Sequence, residues 1–157
     1  MNILIKPAFA CAVICFLGTV FGTTSANAAP KQGLQKGYLG AGLGFGEGDS
    51  AFHLHGRISF GDTPVSIRPT AYFFDGGTFS TTTVTYDIGV AEKTNVYVGL
   101  GGFVDNSGIF YRGAIVDAGG LLQVGAEKEI SKNLVLYGDG NFLDRASIFK
   151  VGVGYSF

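Results

Sequence analysis

The chain has 157 residues, 15% of them charged, and a formal net charge of -1, which fits one domain and offers no basic run for nucleic acid. Its two cysteines, Cys11 and Cys15, lie close together near the start. Everything after them therefore lacks disulfides, thiolate metal sites and thiol nucleophiles.

Residues 1–28 read as a cleaved secretory signal peptide. Lys6 supplies the positive start, Pro7 to Gly22 is apolar and small, and Ala26-Asn27-Ala28 is an Ala-x-Ala cleavage site. The stretch is too short for a spanning helix. The remainder carries 10 Lys and Arg, the 11 of the whole chain less Lys6, against 12 Asp and Glu. Residues 29–36 form a short N-terminal lead.

Residues 37–157 keep no helical period. Runs of about ten residues alternate instead, and ten is the length a tilted strand needs to cross a bilayer. The expected strands are Tyr38–Gly46, Ala51–Phe60, Val65–Phe74, Thr83–Val90, Val96–Val104, Gly120–Ile130, Leu134–Phe142 and Ser147–Phe157. In the first, Leu39, Ala41, Leu43 and Phe45 share one face and Tyr38 and four glycines the other. The second sets Phe52, Leu54, Ile58 and Phe60 against His53, His55, Arg57 and Ser59. Val65, Ile67, Ala71 and Phe73 then oppose Ser66, Arg68, Thr70 and Tyr72, and Val84, Tyr86 and Ile88 oppose Thr83, Thr85 and Asp87. The later strands repeat the scheme, with Glu127, Asp139 and Lys150 on the polar face. Residues 61–64, 91–95 and 131–133 read as compact turns, and 75–82 and 105–119 as the longer connections. In-phase hairpins would set Phe60 opposite Val65, Val90 opposite Val96 and Ile130 opposite Leu134.

The closing strand, Lys150-Val151-Gly152-Val153-Gly154-Tyr155-Ser156-Phe157, carries a motif of its own. Lys150, Gly152, Tyr155 and Phe157 fill the pattern polar, any, Gly, any, any, aromatic, any, aromatic. This resembles the C-terminal signal by which outer-membrane barrels are recognised by their assembly machinery. With the eight alternating runs, the chain resembles the small eight-stranded outer-membrane barrels of the outer membrane protein X and outer membrane protein A transmembrane-domain type. The resemblance implies an all-β, antiparallel up-and-down transmembrane barrel, delivered after signal cleavage. It also implies outer-membrane lipid and the barrel-assembly machinery as partners, and a monomer.

The residue pattern favours lipid over water outside. The face bearing Arg57, Arg68, Asp87, Glu127, Asp139 and Lys150 cannot meet hydrocarbon, where Arg or Lys at mid-depth costs about 2–4 kcal/mol. The opposite face is apolar, which is an aggregation hazard in water and a requirement in lipid. Phe60, Tyr155 and Phe157 fall at the periplasmic ends and Phe45, Phe52, Phe73, Phe142 and Phe149 at the outer ends, as two interfacial girdles.

The six charges are expected to form a lumen salt-bridge network, with Arg57 directly opposite Arg68 and with Glu129 as a further acid. Inward glycines leave room that is wet, or filled by Tyr72, Phe74, Tyr97, Phe103 and Tyr137. His53 and His55 point inward and read as hydrogen-bonded lumen residues. A weak metal site, or a lipid A acyltransferase or deacylase site with Ser50, Ser59 or Ser147, is the alternative. No catalytic group, metal or cofactor is assigned. Loop 105–119, rich in Ile109, Phe110, Tyr111, Ile115 and Val116, extends strands or lies over the mouth. The functional expectation is a small integral outer-membrane barrel with a structural or surface-interaction role. A narrow ion or solute channel is the alternative, and an outer-leaflet lipid-modifying enzyme the third reading.

Overall fold

The computed structural model describes residues 33–106 and 117–157. The signal-peptide reading, the first half of the N-terminal lead (29–32) and the apolar part of loop 105–119 lie outside these residues. Eight strands follow one another: β1 (Tyr38–Gly46), β2 (Asp49–Ser59), β3 (Val65–Phe74), β4 (Gly77–Ala91), β5 (Thr94–Asp105), β6 (Asp117–Ser131), β7 (Leu134–Leu143) and β8 (Ser147–Ser156). Each pairs antiparallel with its neighbour in sequence, and β8 closes on β1. The alternation of the sequence becomes inside and outside. Leu39, Leu43, Leu54, Ile58, Val84, Leu100, Val124 and Val153 face out, while every charged side chain of the six-residue set is buried.

Closure fixes the tilt. Directly paired residues run Lys128, Leu136, Val153, Ala41, Leu54, Ala71, Ser80, Val104 and Ala118. One circuit thus leaves β6 at Lys128 and re-enters it at Ala118, ten residues away. That stagger on eight strands requires a tilt of about 40°. A ten-residue strand at this tilt rises about 25 Å, the height of the apolar band of a membrane barrel.

Inward glycines allow the sharpest curvature. A Cβ on Gly42 would lie 2.0 Å from the Val151 carbonyl oxygen, and one on Gly101 2.0 Å from that of Thr82. These positions, at the β1–β8 seam and on β5, admit no side chain.

The turns correct several boundaries. β2 starts at Asp49, so Glu47-Gly48 forms a two-residue connection with φ of 50° and 97°. Residues 77–82 belong to β4 and not to a loop, so only Asp75-Gly76 joins β3 to β4. The expected pairs of Val90 with Val96 and of Ile130 with Leu134 do not form. Ile88 pairs with Val96, Ser131 pairs with Leu134, and the register shifts at Val90 and at Ile130. The cause is the turn. Lys93 (φ 54°) and Asn133 (φ 67°) adopt the left-handed conformation, which in these hairpins is accompanied by a bulge in the preceding strand. The β2–β3 register, Ser59 with Ser66, does set Phe60 across from Val65.

The aromatic girdles hold the expected residues. At the end holding the chain termini, Phe60, Tyr155 and Phe157 are exposed, and Tyr86 joins them on the outer surface. At the far end Phe52 and Phe73 are exposed and in contact, Phe142 packs edge-on against Phe149, and Phe149 pairs with Phe45. This arc covers β7, β8, β1, β2 and β3. On β4 to β6 the same end presents Thr78, Ser80, Gly102, Val104 and Gly120.

The Glu47-Gly48 turn gives a test. A non-glycine residue with positive φ is strained, and Asn-Gly suits a two-residue hairpin best. Glu47→Asn is expected to raise stability by about 0.5–1 kcal/mol and Glu47→Val to lower it by about 1–2 kcal/mol. Denaturant titration of the folded protein in detergent micelles measures both.

Candidate functional site: the ion-paired lumen

The inner face divides into three layers. The layer nearest the chain termini holds Arg57 on β2 and Arg68 on β3. The flanking pairs, His55 with Thr70 and Ile58 with Ile67, set the two arginines opposite one another. Like charges so placed repel, and both are almost fully buried. Two carboxylates resolve this. Asp87 of β4 gives Oδ2 to Arg57 at 2.7 Å and Oδ1 to Arg68 at 2.9 Å. Glu127 of β6, reaching across the barrel, gives Oε1 to Arg57 at 3.2 Å and Oε2 to Arg68 at 2.7 Å. Each acid thus spans both guanidinium groups, closing a ring of four ion pairs with no net charge.

Neutral groups complete this ring. Tyr38 donates to Glu127 at 2.9 Å, Ser66 donates to Asp87 at 2.7 Å, and Thr85 receives Arg68 Nε at 2.9 Å. The Arg68 guanidinium lies 3.5 Å from the centre of the Tyr97 ring. A buried charge left without partners would cost several kcal/mol, and here each has at least two.

The middle layer is a second, smaller neutral unit. Lys150 of β8 meets Asp139 of β7 at 3.1 Å and donates to Thr70 at 2.9 Å. Asp139 also accepts from Tyr97 at 2.8 Å and from Asn141 at 3.2 Å. His53 Nε2 hydrogen-bonds the Tyr137 hydroxyl at 2.9 Å, and His55 Nδ1 hydrogen-bonds Thr70 Oγ1 at 2.8 Å. Thr83 donates to Gln123. His53 Nδ1, His55 Nε2, Gln123 Nε2 and Asn141 Oδ1 lack partners here. The two histidines are therefore wall groups of a packed lumen. Ser50 lies exposed in β2, and Ser59 and Ser147 lie at opposite ends of the barrel.

The far layer is apolar. Ala51, Tyr72, Phe79, Phe103, Leu121 and Ile148 form one cluster, with Phe74 and Leu143 packed against it. Tyr72 and Phe79 rings lie 5.7 Å apart, and Phe79 and Phe103 stack at 5.5 Å. Rings also occupy the space beside the inward glycines. Tyr137 lies against Gly40 and Gly152, Tyr72 against Gly44, Tyr38 against Gly154 and Tyr97 against Gly125.

The structure brings Arg57, Arg68, Asp87 and Glu127 into one ring and Asp139 and Lys150 into another pair. Glu129 does not join the arginines. It stands at the rim, where Lys93 reaches it at 2.6 Å. That hydrogen bond, with the attraction of the carboxylate, holds the Lys93 ammonium above the ordinary lysine range. Lys150, Gly152, Tyr155 and Phe157 divide by face, with Lys150 inside and Tyr155 and Phe157 exposed outside. Sequence reasoning put Tyr38, Ser66 and Thr85 on the inner face without naming their charged partners, and left Phe79 in a connection. Tyr38 had a signal, being the one bulky residue on an otherwise glycine face.

Breaking one partner of a buried pair costs more than removing both. Arg68→Met is expected to destabilise by about 3–5 kcal/mol. Lys150→Met should cost a similar amount, and adding Asp139→Asn to it should recover about half or more. Urea unfolding of the three variants in micelles checks the order.

No protein-family model and no curated protein matches the chain. Solved structures do. A de novo designed transmembrane β-barrel aligns at TM-score 0.60 and 14% identity, over 81% of this chain and 99% of that one. Ail, the attachment invasion locus protein of Yersinia pestis, aligns at TM-score 0.51 and 15% identity, over 79% and 99%. The N-terminal β-barrel domain of Pseudomonas aeruginosa OprF aligns at TM-score 0.54 and 15% identity, over 80% and 100%. At such identities the likeness is one of fold, and the fold is that of the small eight-stranded transmembrane barrels.

Proposed function

We propose that the protein is an integral outer-membrane barrel with a structural role, and that its lumen does not conduct. The observation that carries this is the pairing of an apolar exterior with a lumen filled by two neutral ion-paired units and an aromatic layer. Lipid outside rewards the exposed Leu, Val, Ile and Phe, and leaves the charges nowhere but inside. The closing motif supports delivery by the barrel-assembly machinery. The start of β1, the end of β8 and the compact turns lie together, which supports placing that end in the periplasm.

A surface-interaction role has little to stand on among the described residues. The outer connections Glu47-Gly48, Asp75-Gly76 and Asp144–Ala146 are two or three residues long. Any such role falls to the connection after Asp105. Ail has been solved with the heparin analogue sucrose octasulfate, which is a property of Ail. Enzymatic lipid modification is disfavoured, because His53 and His55 are sealed among Tyr137, Thr70 and Tyr72.

Planar bilayers decide between a plugged barrel and a channel. Refolded protein is expected to give no stepwise conductance. Steady steps that change on Arg57→Ala or Asp87→Asn would establish the channel instead.

A further inference from the structure

The mouth at the start of β1 and the end of β8 is not closed by the sheet. It is closed by the chain ahead of β1. Leu34 is 3% exposed and packs with Tyr38, Val135 and Tyr137, whose rings and side chain point into the lumen. The backbone of this segment is gripped by two lumen side chains. Asn95 donates its amide to the Leu34 carbonyl at 2.9 Å, and Arg57 donates to the Lys36 carbonyl. Both grips are shared with the ion-pair ring, because Asn95 also donates to Glu127 at 2.8 Å and Arg57 also holds Asp87.

The fit is close on the backbone side as well. A Cβ on Gly33 would stand 1.8 Å from Asn95 Oδ1 and 2.9 Å from the Gly89 Cα. No side chain fits there without moving backbone. Gln35 and Lys36, between and after the gripped groups, are exposed. The segment thus seats its first two residues and leaves the side chains of the next two in solvent. It is joined to β1 through Gly37, whose carbonyl receives the Phe157 amide at 3.2 Å.

We propose that residues 33–36 form a detachable strap. Seated, it seals the ion-pair ring from water at this mouth. Released, it leaves the eight-stranded sheet closed, because none of the strand pairings passes through it. The lumen then becomes a blind chamber, open at the strap end to Arg57, Asn95 and Glu127, and still stopped at the far end by the Tyr72–Phe79–Phe103 layer. Two carbonyl hydrogen bonds and one apolar side chain hold the strap, against a full ladder for every strand, so it is the first part to open. This inference stands on the inner geometry alone and does not depend on which membrane surrounds the barrel.

Ser156 is the reporter. It is fully buried on the inner face, opposite Tyr38, and its hydroxyl has no partner among the described residues. In the full chain with Cys11→Ala and Cys15→Ala, a Ser156→Cys thiol should react slowly with a membrane-impermeant methanethiosulfonate. Leu34→Asp or Gly33→Ile should speed labelling by about tenfold or more, while the heat-modifiable folded band on gels persists. An unchanged rate with the folded band retained would overturn the strap. If these variants lose the folded band, labelling of the Ser156→Cys chain with Gly33 and Leu34 unchanged, at graded urea below its unfolding transition, decides. Labelling that speeds about tenfold while the folded band is intact would support release, and labelling that rises only with global unfolding would refute it.

Discussion

Two arginines face each other across neighbouring strands, and the interior is arranged to neutralise them. Arg57 and Arg68 could not remain in an apolar closed sheet without anions within hydrogen-bond reach. Asp87 and Glu127 answer from opposite sides, one oxygen to each arginine. This ring ties β2, β3, β4 and β6 together across the lumen. Lys150 and Asp139 do the same for β7 and β8. Three cations meet three anions in these six buried groups, so the set as a whole carries no net charge.

Geometry sets how much room these charges have. Eight strands with a ten-residue stagger enclose an interior just wide enough for side chains. Glycines at the β1–β8 seam and on β5 let the wall bend where a Cβ would strike a neighbouring carbonyl. Aromatic rings then lie over the glycines of β1, β6 and β8 from the adjacent strand or the one beyond it. The same tyrosines donate hydrogen bonds to the carboxylates, as Tyr38 does to Glu127 and Tyr97 to Asp139. Space filling and charge compensation are therefore performed by the same residues.

Much of this was legible from the residues. Strands β1 and β3 have the expected ends, because Gly and Pro chemistry bounds them sharply. The inward set from Arg57 to Lys150 follows from period two alone. What failed did so for physical reasons. The start of β4 reads as a linker because Thr78, Ser80 and Thr82 face out and Thr81 and Thr83 face in, so no polarity contrast marks the alternation. The bulges at Val90 and Ile130 accompany left-handed Lys93 and Asn133; Lys has no left-handed preference, and Asn133 marks a turn without announcing the bulge before it. The outer Phe girdle was legible, and it stops at β4 to β6 because those strands carry small and hydroxyl residues there. Leu34 was hidden because one apolar residue in a polar lead has no periodicity to betray it.

The central claim is that the apolar face meets hydrocarbon and the charged face meets itself. Leu100 is the most direct probe, lying at mid-height on β5 and 69% exposed among Val84, Val98 and Leu122. The chain has no tryptophan, so Leu100→Trp gives a single fluorophore. In bilayers of lipids brominated near the acyl-chain ends, its emission should be blue-shifted and strongly quenched. Emission typical of water, with no quenching by the bromines, would contradict the account.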